Sequence, residues 1–150
     1  MRVVLVVEHI HHARQFMISC IGPEIAKVIA AGSADEAVML VHMWEPNLVM
    51  IDESLPNQGA ARLIGDLNSR PSSHPRIVLT TFEAQARRPE LPAHVDAVIR
   101  KPINRERLAP VIALLLEERG KAATSIDTEE ERFGVDPFSV DPSETLRQFG

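Results

Sequence analysis

The sequence predicts an α/β domain whose parallel β-sheet is covered by helices on both faces. Short apolar runs alternate with longer amphipathic stretches through residues 1–119, as expected for strands connected by helices. The first run, Val3–Val7, is unbroken and rich in β-branched residues, which is typical of a strand buried on both faces. Prolines and glycines mark several of the boundaries between the two kinds of segment.

Five segments are predicted to be strands because each is short and apolar. They are residues Val3–Val7, 24–30, 47–51, 76–80 and 95–99. The second has the weakest pattern of the five. In open parallel sheets, sites lie at the carboxyl ends of the strands, at the point where the strand order reverses. The residues that end these segments are therefore the first candidates for chemistry.

Five helices are predicted between and after the strands. Ser33 and Glu36 have the spacing of a capping box, so a helix begins there and runs to about Trp44. Asn104 is predicted to cap the last helix, which runs to residue 119, and Pro110 is expected to kink that helix or delay its start. The other three are predicted at residues 12–21, Gly59–Asn68 and, as a short helix, 83–88.

The composition indicates one domain followed by an acidic extension. Of the 150 residues, 45% are hydrophobic and 25% are charged, and the net charge of −5 gives no sign of a nucleic-acid-binding surface. Cys20 is the only cysteine, which excludes an intramolecular disulfide and a cysteine-based zinc site. The first apolar run is too short for a signal peptide or a membrane span. We therefore expect a cytoplasmic protein with a domain at residues 1–120 and a flexible acidic extension at 121–150.

Charged and hydroxyl side chains end four of the predicted strands. They are Glu8 and His9, then Asp52, then Thr80 and Thr81, and finally Lys101. A pair of carboxylates can hold a hard divalent cation, which prefers oxygen ligands. A lysine ammonium can pair with phosphate oxygens, and a threonine hydroxyl can donate a hydrogen bond to the same group. These residue types together favour phosphoryl chemistry at this edge of the sheet.

Four motifs in this order resemble the receiver domain of bacterial two-component response regulators. They are Val-Val-Glu8-His9, Leu-Val-Met-Ile-Asp52-Glu-Ser-Leu-Pro56, Ile-Val-Leu-Thr80-Thr81 and Lys101-Pro102. The resemblance covers roughly residues 1–119. It implies a flavodoxin-like fold with a five-stranded parallel sheet in the order 2-1-3-4-5.

The resemblance also implies a function and a set of roles. Asp52 is the expected phosphoacceptor, with a histidine kinase or phosphotransfer protein as donor, Lys101 as the phosphate-pairing lysine and Thr80 as the hydroxyl switch. Glu8, Asp52 and the backbone carbonyl of Ser54 are expected to hold Mg²⁺. The implied protein is a signalling module rather than an enzyme, and its output is contact with a downstream protein partner. The extension could also support a homodimer.

The sequence departs from the family pattern at several positions. His9 stands where the family usually has a second acid, and imidazole is a poor ligand for magnesium, so we expect weak Mg²⁺ binding. Val98 stands where many members have a switching aromatic residue. The loop after Pro56 is about one residue shorter than usual, and the segment after Phe82 contains two extra prolines.

These departures keep other functions open. The main alternative is a degenerate receiver that acts as a phosphorylation-independent interaction scaffold. A hydrolase with an aspartyl-phosphate intermediate is disfavoured because Ser54 stands where such enzymes place their second acid. His9, His11 and His12 lie close enough in sequence to suggest a transition-metal site, but His11 and His12 are expected to be solvated at the start of the first helix.

Overall fold

A computed structural model describes residues 1–70, 74–82 and 95–117 of the chain. The strands are β1 (Val3–Val7), β2 (Lys27–Ala31), β3 (Leu48–Asp52), β4 (Arg76–Phe82) and β5 (Ala97–Lys101). The helices are α1 (His11–Cys20), α2 (Ala34–Trp44), α3 (Gly59–Asn68), preceded by a 3₁₀ turn at Pro56–Gln58, and α4 (Arg105–Glu117). The helix predicted at residues 83–88 and the extension at 121–150 lie outside the described residues.

All five strands pair in parallel in one sheet, in the order β2-β1-β3-β4-β5. The fold class and the strand order expected from the resemblance are therefore confirmed. β1 lies between β2 and β3, so the strand order reverses at β1. In open parallel sheets, ligands bind outside the carboxyl ends of the strands at such a reversal, and the strand-end acids Glu8 and Asp52 lie there.

Two helical layers bury the two faces of the sheet. Along β1, Val4 and Val6 point towards the layer of α1 and α4, while Leu5 and Val7 point towards the layer of α2 and α3. All five residues of β1 and all five of β3 are buried. Because each aliphatic side chain contributes about 1.5–3 kcal/mol when fully buried, these central strands form a rigid base for the residues that follow them.

The two edge strands begin later than predicted. β2 starts at Lys27 rather than residue 24 because the preceding residues form a turn, in which the Ile25 and Ala26 amides approach the Gly22 carbonyl. β5 runs over Ala97–Lys101 rather than 95–99. The Asp96 side chain accepts a hydrogen bond from the Ile77 amide at 2.7 Å, so Asp96 closes the start of the β4–β5 pair rather than lying within the strand.

The predicted helix caps are present, with one difference. The Ser33 hydroxyl accepts from the Glu36 amide at 3.1 Å, but the Glu36 carboxylate accepts from the Gly32 amide rather than from Ser33. The Asn104 side chain accepts from the Glu106 amide at 2.8 Å and caps α4 as predicted. Pro110 does not delay the start of α4, which begins directly after this cap.

The loop between β3 and α3 is tight. Asn57 and Gln58 both have positive φ angles, 59° and 55°, in the left-handed region that non-glycine residues rarely adopt. Such a conformation costs about 1–2 kcal/mol per residue, so the short loop predicted after Pro56 is held at an energetic cost. Within the described parts of the chain, no helix has the length and apolarity needed to cross a bilayer.

Candidate functional site

The carboxyl edge of the sheet brings the predicted site residues together. Glu8 directly follows β1, Asp52 ends β3, Thr80 lies in β4 opposite Asp52, and Lys101 ends β5. Their separation in sequence reaches 93 residues between Glu8 and Lys101, yet the parallel strand order places their side chains within hydrogen-bonding distance. The site is therefore a consequence of the sheet topology.

Asp52 lies at the centre of this edge and is 1% exposed. Its Oδ1 lies 2.7 Å from the Lys101 ammonium and 3.4 Å from the Thr80 hydroxyl, which donates to it. Its Oδ2 accepts a hydrogen bond from the Ser54 hydroxyl at 2.6 Å. Both oxygens of this buried carboxylate are thus engaged by donors, as a buried charge requires.

Glu8 is a second buried carboxylate, with no exposed surface. Its Oε1 accepts from Lys101 Nζ at 3.0 Å, and its Oε2 accepts from the Ile10 amide at 3.2 Å. The guanidinium of Arg14 donates to the Glu8 backbone carbonyl at 2.6 Å, which fixes the turn that follows β1. One ammonium therefore bridges two buried carboxylates, and the three groups carry a net charge of about −1 when all are ionised.

The pKa of Lys101 is raised. Burial by itself lowers the pKa of this ammonium, but hydrogen bonds and charge interactions with Asp52 and Glu8 outweigh the burial. The ring of Phe82 lies 5.1 Å from Lys101 Nζ and gives a further contact favourable to a cation. Lys101 is consequently a fixed positive charge at neutral pH.

The two threonines of β4 contact different carboxylates, and the sequence alone does not show which threonine contacts which carboxylate. Thr80 contacts Asp52, whereas the Thr81 hydroxyl donates a short hydrogen bond to the Glu53 carboxylate. The Glu53–Thr81 pair was not predicted from the sequence. For Ser54, the sequence predicted a role for the backbone carbonyl but not for the hydroxyl. The position of Ser54 two residues after Asp52, in the turn that follows β3, was the available signal for a hydroxyl contact.

Three residues at this edge form a possible cation site. One ligand atom from each of Glu8, His9 and Asp52 lies within 4.8 Å of the other two. Two carboxylates are the donor type that Mg²⁺ and Ca²⁺ prefer, so the oxygen donors fit a hard divalent cation, whereas the imidazole is a donor for transition metals. Among the described residues, His11 and His12 do not join the group, and His11 Nδ1 instead lies 3.2 Å from an Arg14 nitrogen.

Two further departures from the family pattern are Val98 and the two extra prolines after Phe82. Val98 lies in β5, is partly buried and packs against the apolar cluster beneath α2 and α3. It has no ring that could rotate in response to a change at Thr80. The two extra prolines after Phe82 lie outside the described residues.

Comparison with known proteins gives a consistent result. The family model of the response regulator receiver domain matches residues 4–113. Among curated proteins, the transcriptional regulatory protein BtsR of Escherichia coli K12 is 29% identical over 110 residues. The matched region is 73% of this chain but only 45% of that protein, so the chain spans less than half the length of the curated relatives it matches.

Solved structures show the same fold. A CheY-like receiver domain from Methylobacillus flagellatus has a TM-score of 0.68 at 19% identity, covering 77% of this chain and 98% of that one. A CheY-like receiver domain protein from Methanospirillum hungatei JF-1 has a TM-score of 0.68 at 22% identity, covering 81% and 98%. At these identities the likeness supports the fold alone.

Proposed function

This chain belongs to the response regulator receiver family of two-component signalling, and from that membership we propose that it accepts a phosphoryl group on Asp52 and signals by protein contact. The donor is a histidine kinase or a phosphotransfer protein. The observation that carries the proposal is the buried Asp52 carboxylate, which has the Lys101 ammonium 2.7 Å from Oδ1 at the carboxyl edge of the sheet.

The chemistry follows from the charges at this edge. A carboxylate oxygen of Asp52 attacks phosphorus, the new oxygen–phosphorus bond forms, and the bond between phosphorus and the donor's imidazole nitrogen breaks. Lys101 then pairs with a phosphoryl oxygen in place of the carboxylate oxygen, and the Thr80 hydroxyl donates to another. Phosphorylation thus changes the partner of Thr80, which is how the site is proposed to pass its state to the surrounding surface.

A divalent cation belongs to this proposal. Glu8, Asp52 and the backbone carbonyl of Ser54 are the proposed ligands, with Mg²⁺ as the ion expected from the family and His9 as a weak donor to it. When bound, the ion offsets charge on the incoming phosphoryl group. The chain itself supplies the buried, oriented carboxylates, and the bridge from Lys101 keeps them close together.

Phosphorylation with acetyl phosphate and Mg²⁺, read by intact mass, tests the acceptor assignment. The wild-type chain is expected to gain the mass of one phosphoryl group, and Asp52→Asn is expected to abolish the gain. Glu53→Gln serves as the matched control because it neutralises the adjacent carboxylate. Labelling that persists in Asp52→Asn, or that disappears only in Glu53→Gln, would exclude Asp52 as the acceptor.

Two residues favour a second function, a degenerate receiver that acts as an interaction scaffold. His9 replaces an acid beside Glu8, and Val98 provides no switching ring. In that case Asp52→Ala leaves binding to a downstream protein intact. A loss of partner binding that parallels the loss of phosphorylation would exclude the scaffold.

We also propose that the receiver unit ends at about residue 120 and that residues 121–150 form a separate acidic extension. The family match ends at residue 113, and α4 continues to Glu117. Truncation after Gly120 is then expected to leave the unfolding free energy unchanged. Sizing the truncated and full chains in solution tests whether the extension supports a homodimer.

A further inference from the structure

We propose that the carboxyl edge of the sheet binds a first-row transition-metal dication, such as Co²⁺ or Zn²⁺, in preference to Mg²⁺, because His9 supplies an imidazole nitrogen beside Glu8 and Asp52. This inference rests on the proposed function only in placing a divalent cation at this edge. It concerns which ion the edge selects, and the residue that decides the selection is His9.

The distances allow His9 to share an ion with Glu8. His9 Nδ1 lies 3.8 Å from Glu8 Oε2. Nitrogen and oxygen ligands lie about 2.0–2.2 Å from a zinc ion, so two ligands of one ion can be at most about 4.3 Å apart. These two atoms already satisfy that limit. The Asp52 donor is within 4.8 Å of the other two, and neighbouring ligands of a tetrahedral ion are about 3.4 Å apart, so ion binding needs these side chains to approach one another by up to about 1.4 Å.

The hydrogen bonds at this edge leave Glu8 Oε2 available to a metal ion on the side of His9. Lys101 engages Oε1 of Glu8 and Oδ1 of Asp52. Glu8 Oε2 is left on the side of His9, where it accepts a hydrogen bond from the Ile10 amide at 3.2 Å. A carboxylate oxygen accepts more than one partner, so Oε2 can keep this bond and still bind an ion.

His9 is the exposed member of this group. The His9 side chain is 36% exposed, whereas the Glu8 side chain beside it is fully buried. Arg14 donates to the Glu8 carbonyl and holds the turn from which His9 projects. The imidazole is therefore the solvent-facing member of the group, and an ion that arrives on this side meets it first.

Charge and donor type together set the selectivity. Lys101 offsets one of the two carboxylates, so the edge offers about one net negative charge to an ion. Mg²⁺ depends on anionic oxygen ligands and loses its water reluctantly, so this charge is a weak attraction for it. Imidazole binds Co²⁺ and Zn²⁺ well, and affinity for these ions exceeds that for Mn²⁺ at nitrogen-containing sites. Histidine in place of an acid at position 9 therefore weakens Mg²⁺ binding and strengthens transition-metal binding.

Metal titration of the untagged full chain tests the inference without any measurement of phosphorylation. Co²⁺ binding is followed by its visible absorption, and Zn²⁺ and Mg²⁺ by calorimetry. His9→Asp restores an acid and His9→Gln removes the imidazole without adding charge. His12→Ala is the matched control, because His12 is an exposed histidine on the adjacent helix and is not part of the group.

The wild-type chain is expected to bind Zn²⁺ and Co²⁺ at least about tenfold more tightly than Mg²⁺. His9→Asp is expected to reduce that ratio by about tenfold or more and to change the Co²⁺ spectrum. His9→Gln is expected to weaken the binding of both Zn²⁺ and Co²⁺ and to leave Mg²⁺ binding unchanged. His12→Ala is expected to leave both the affinity ratio and the Co²⁺ spectrum unchanged. A ratio that stays within about twofold of wild type in both His9 variants would overturn the inference, as would tighter binding of Mg²⁺ by the wild type.

The result is separable from the test of the proposed function. If Co²⁺ binding depends on His9 but Asp52 accepts no phosphoryl group with any ion, the metal preference stands and the phosphoacceptor proposal fails. If Asp52 is phosphorylated with Mg²⁺ and His9 has no effect on the metal ratio, the phosphoacceptor proposal stands and the metal preference fails.

Discussion

Replacing Lys101 with methionine removes the ammonium that bridges Glu8 and Asp52. Methionine keeps most of the apolar stem, so the substitution isolates the charge. Lys101 Nζ lies 3.0 Å from Glu8 and 2.7 Å from Asp52, and those two side chains are 0% and 2% exposed. Without Lys101, these two buried carboxylates lose the ammonium that lies between them.

The expected cost is about 3–5 kcal/mol of unfolding free energy, the range for breaking a buried ion pair from one side. With a urea m-value of about 2 kcal/mol per molar, 4 kcal/mol lowers the unfolding midpoint by about 2 M. Asp52→Asn removes one of the two stranded charges. The double variant Lys101→Met/Asp52→Asn is therefore expected to lose less than the sum of the single losses, with a coupling of about 1–3 kcal/mol.

Urea unfolding followed by far-UV circular dichroism measures these values, and Arg62→Met is the matched control. Arg62 pairs with Asp35 at 3.7 Å, but the two side chains are 54% and 90% exposed. An exposed pair of this kind contributes about 0–1 kcal/mol. If Lys101→Met costs no more than Arg62→Met, Lys101 does not hold the two carboxylates as described and the reasoning is refuted.

Three further predictions concern other contacts. Ser54→Ala removes the hydroxyl donor from Asp52 Oδ2, so acetyl phosphate labelling should become faster by up to about tenfold, and a slower initial rate by intact mass would contradict this. Ser33→Ala removes the cap of α2 and should cost about 1 kcal/mol in urea unfolding; a change near zero would show that the cap contributes nothing. Burial raises the pKa of the Cys20 thiol, so its contribution to stability is present below the unfolded-state pKa of about 8.5 and is lost as pH rises through the folded value. The unfolding free energy should therefore fall above about pH 8.5, and Cys20→Ala should flatten that fall; an equal slope in both proteins would be contrary to this assignment.

The central strands could be predicted closely because burial on both faces leaves a continuous apolar run. Val3–Val7 has the predicted bounds, and β3 is displaced by one residue from the predicted 47–51. The edge strand β2 was predicted three residues too early because its residues are mostly half-exposed and carry a weaker pattern. A half-exposed edge strand has a less continuous apolar run, so its first and last residues are harder to predict from the sequence.

The membership of the site was predictable, but its contacts were not. Glu8, Asp52 and Lys101 each end or directly follow a strand, Thr80 lies in β4 opposite Asp52, and the strand order brings the four together. Which atoms meet depends on side-chain rotamers, which leave no trace in the sequence pattern. The position of Ser54 indicates a hydroxyl contact in this turn, but the structure is needed to identify its partner as Asp52 Oδ2.

Beryllofluoride titration followed by NMR at Asp52 is the most direct test of the central claim, that Asp52 is a phosphoacceptor paired with Lys101 and Thr80. With a divalent cation present, the wild-type chain is expected to show saturable shifts at the amides of Asp52, Thr80 and Lys101, and Asp52→Asn is expected to show none. Wild-type spectra that do not change with beryllofluoride, or changes that persist in Asp52→Asn, would contradict the claim.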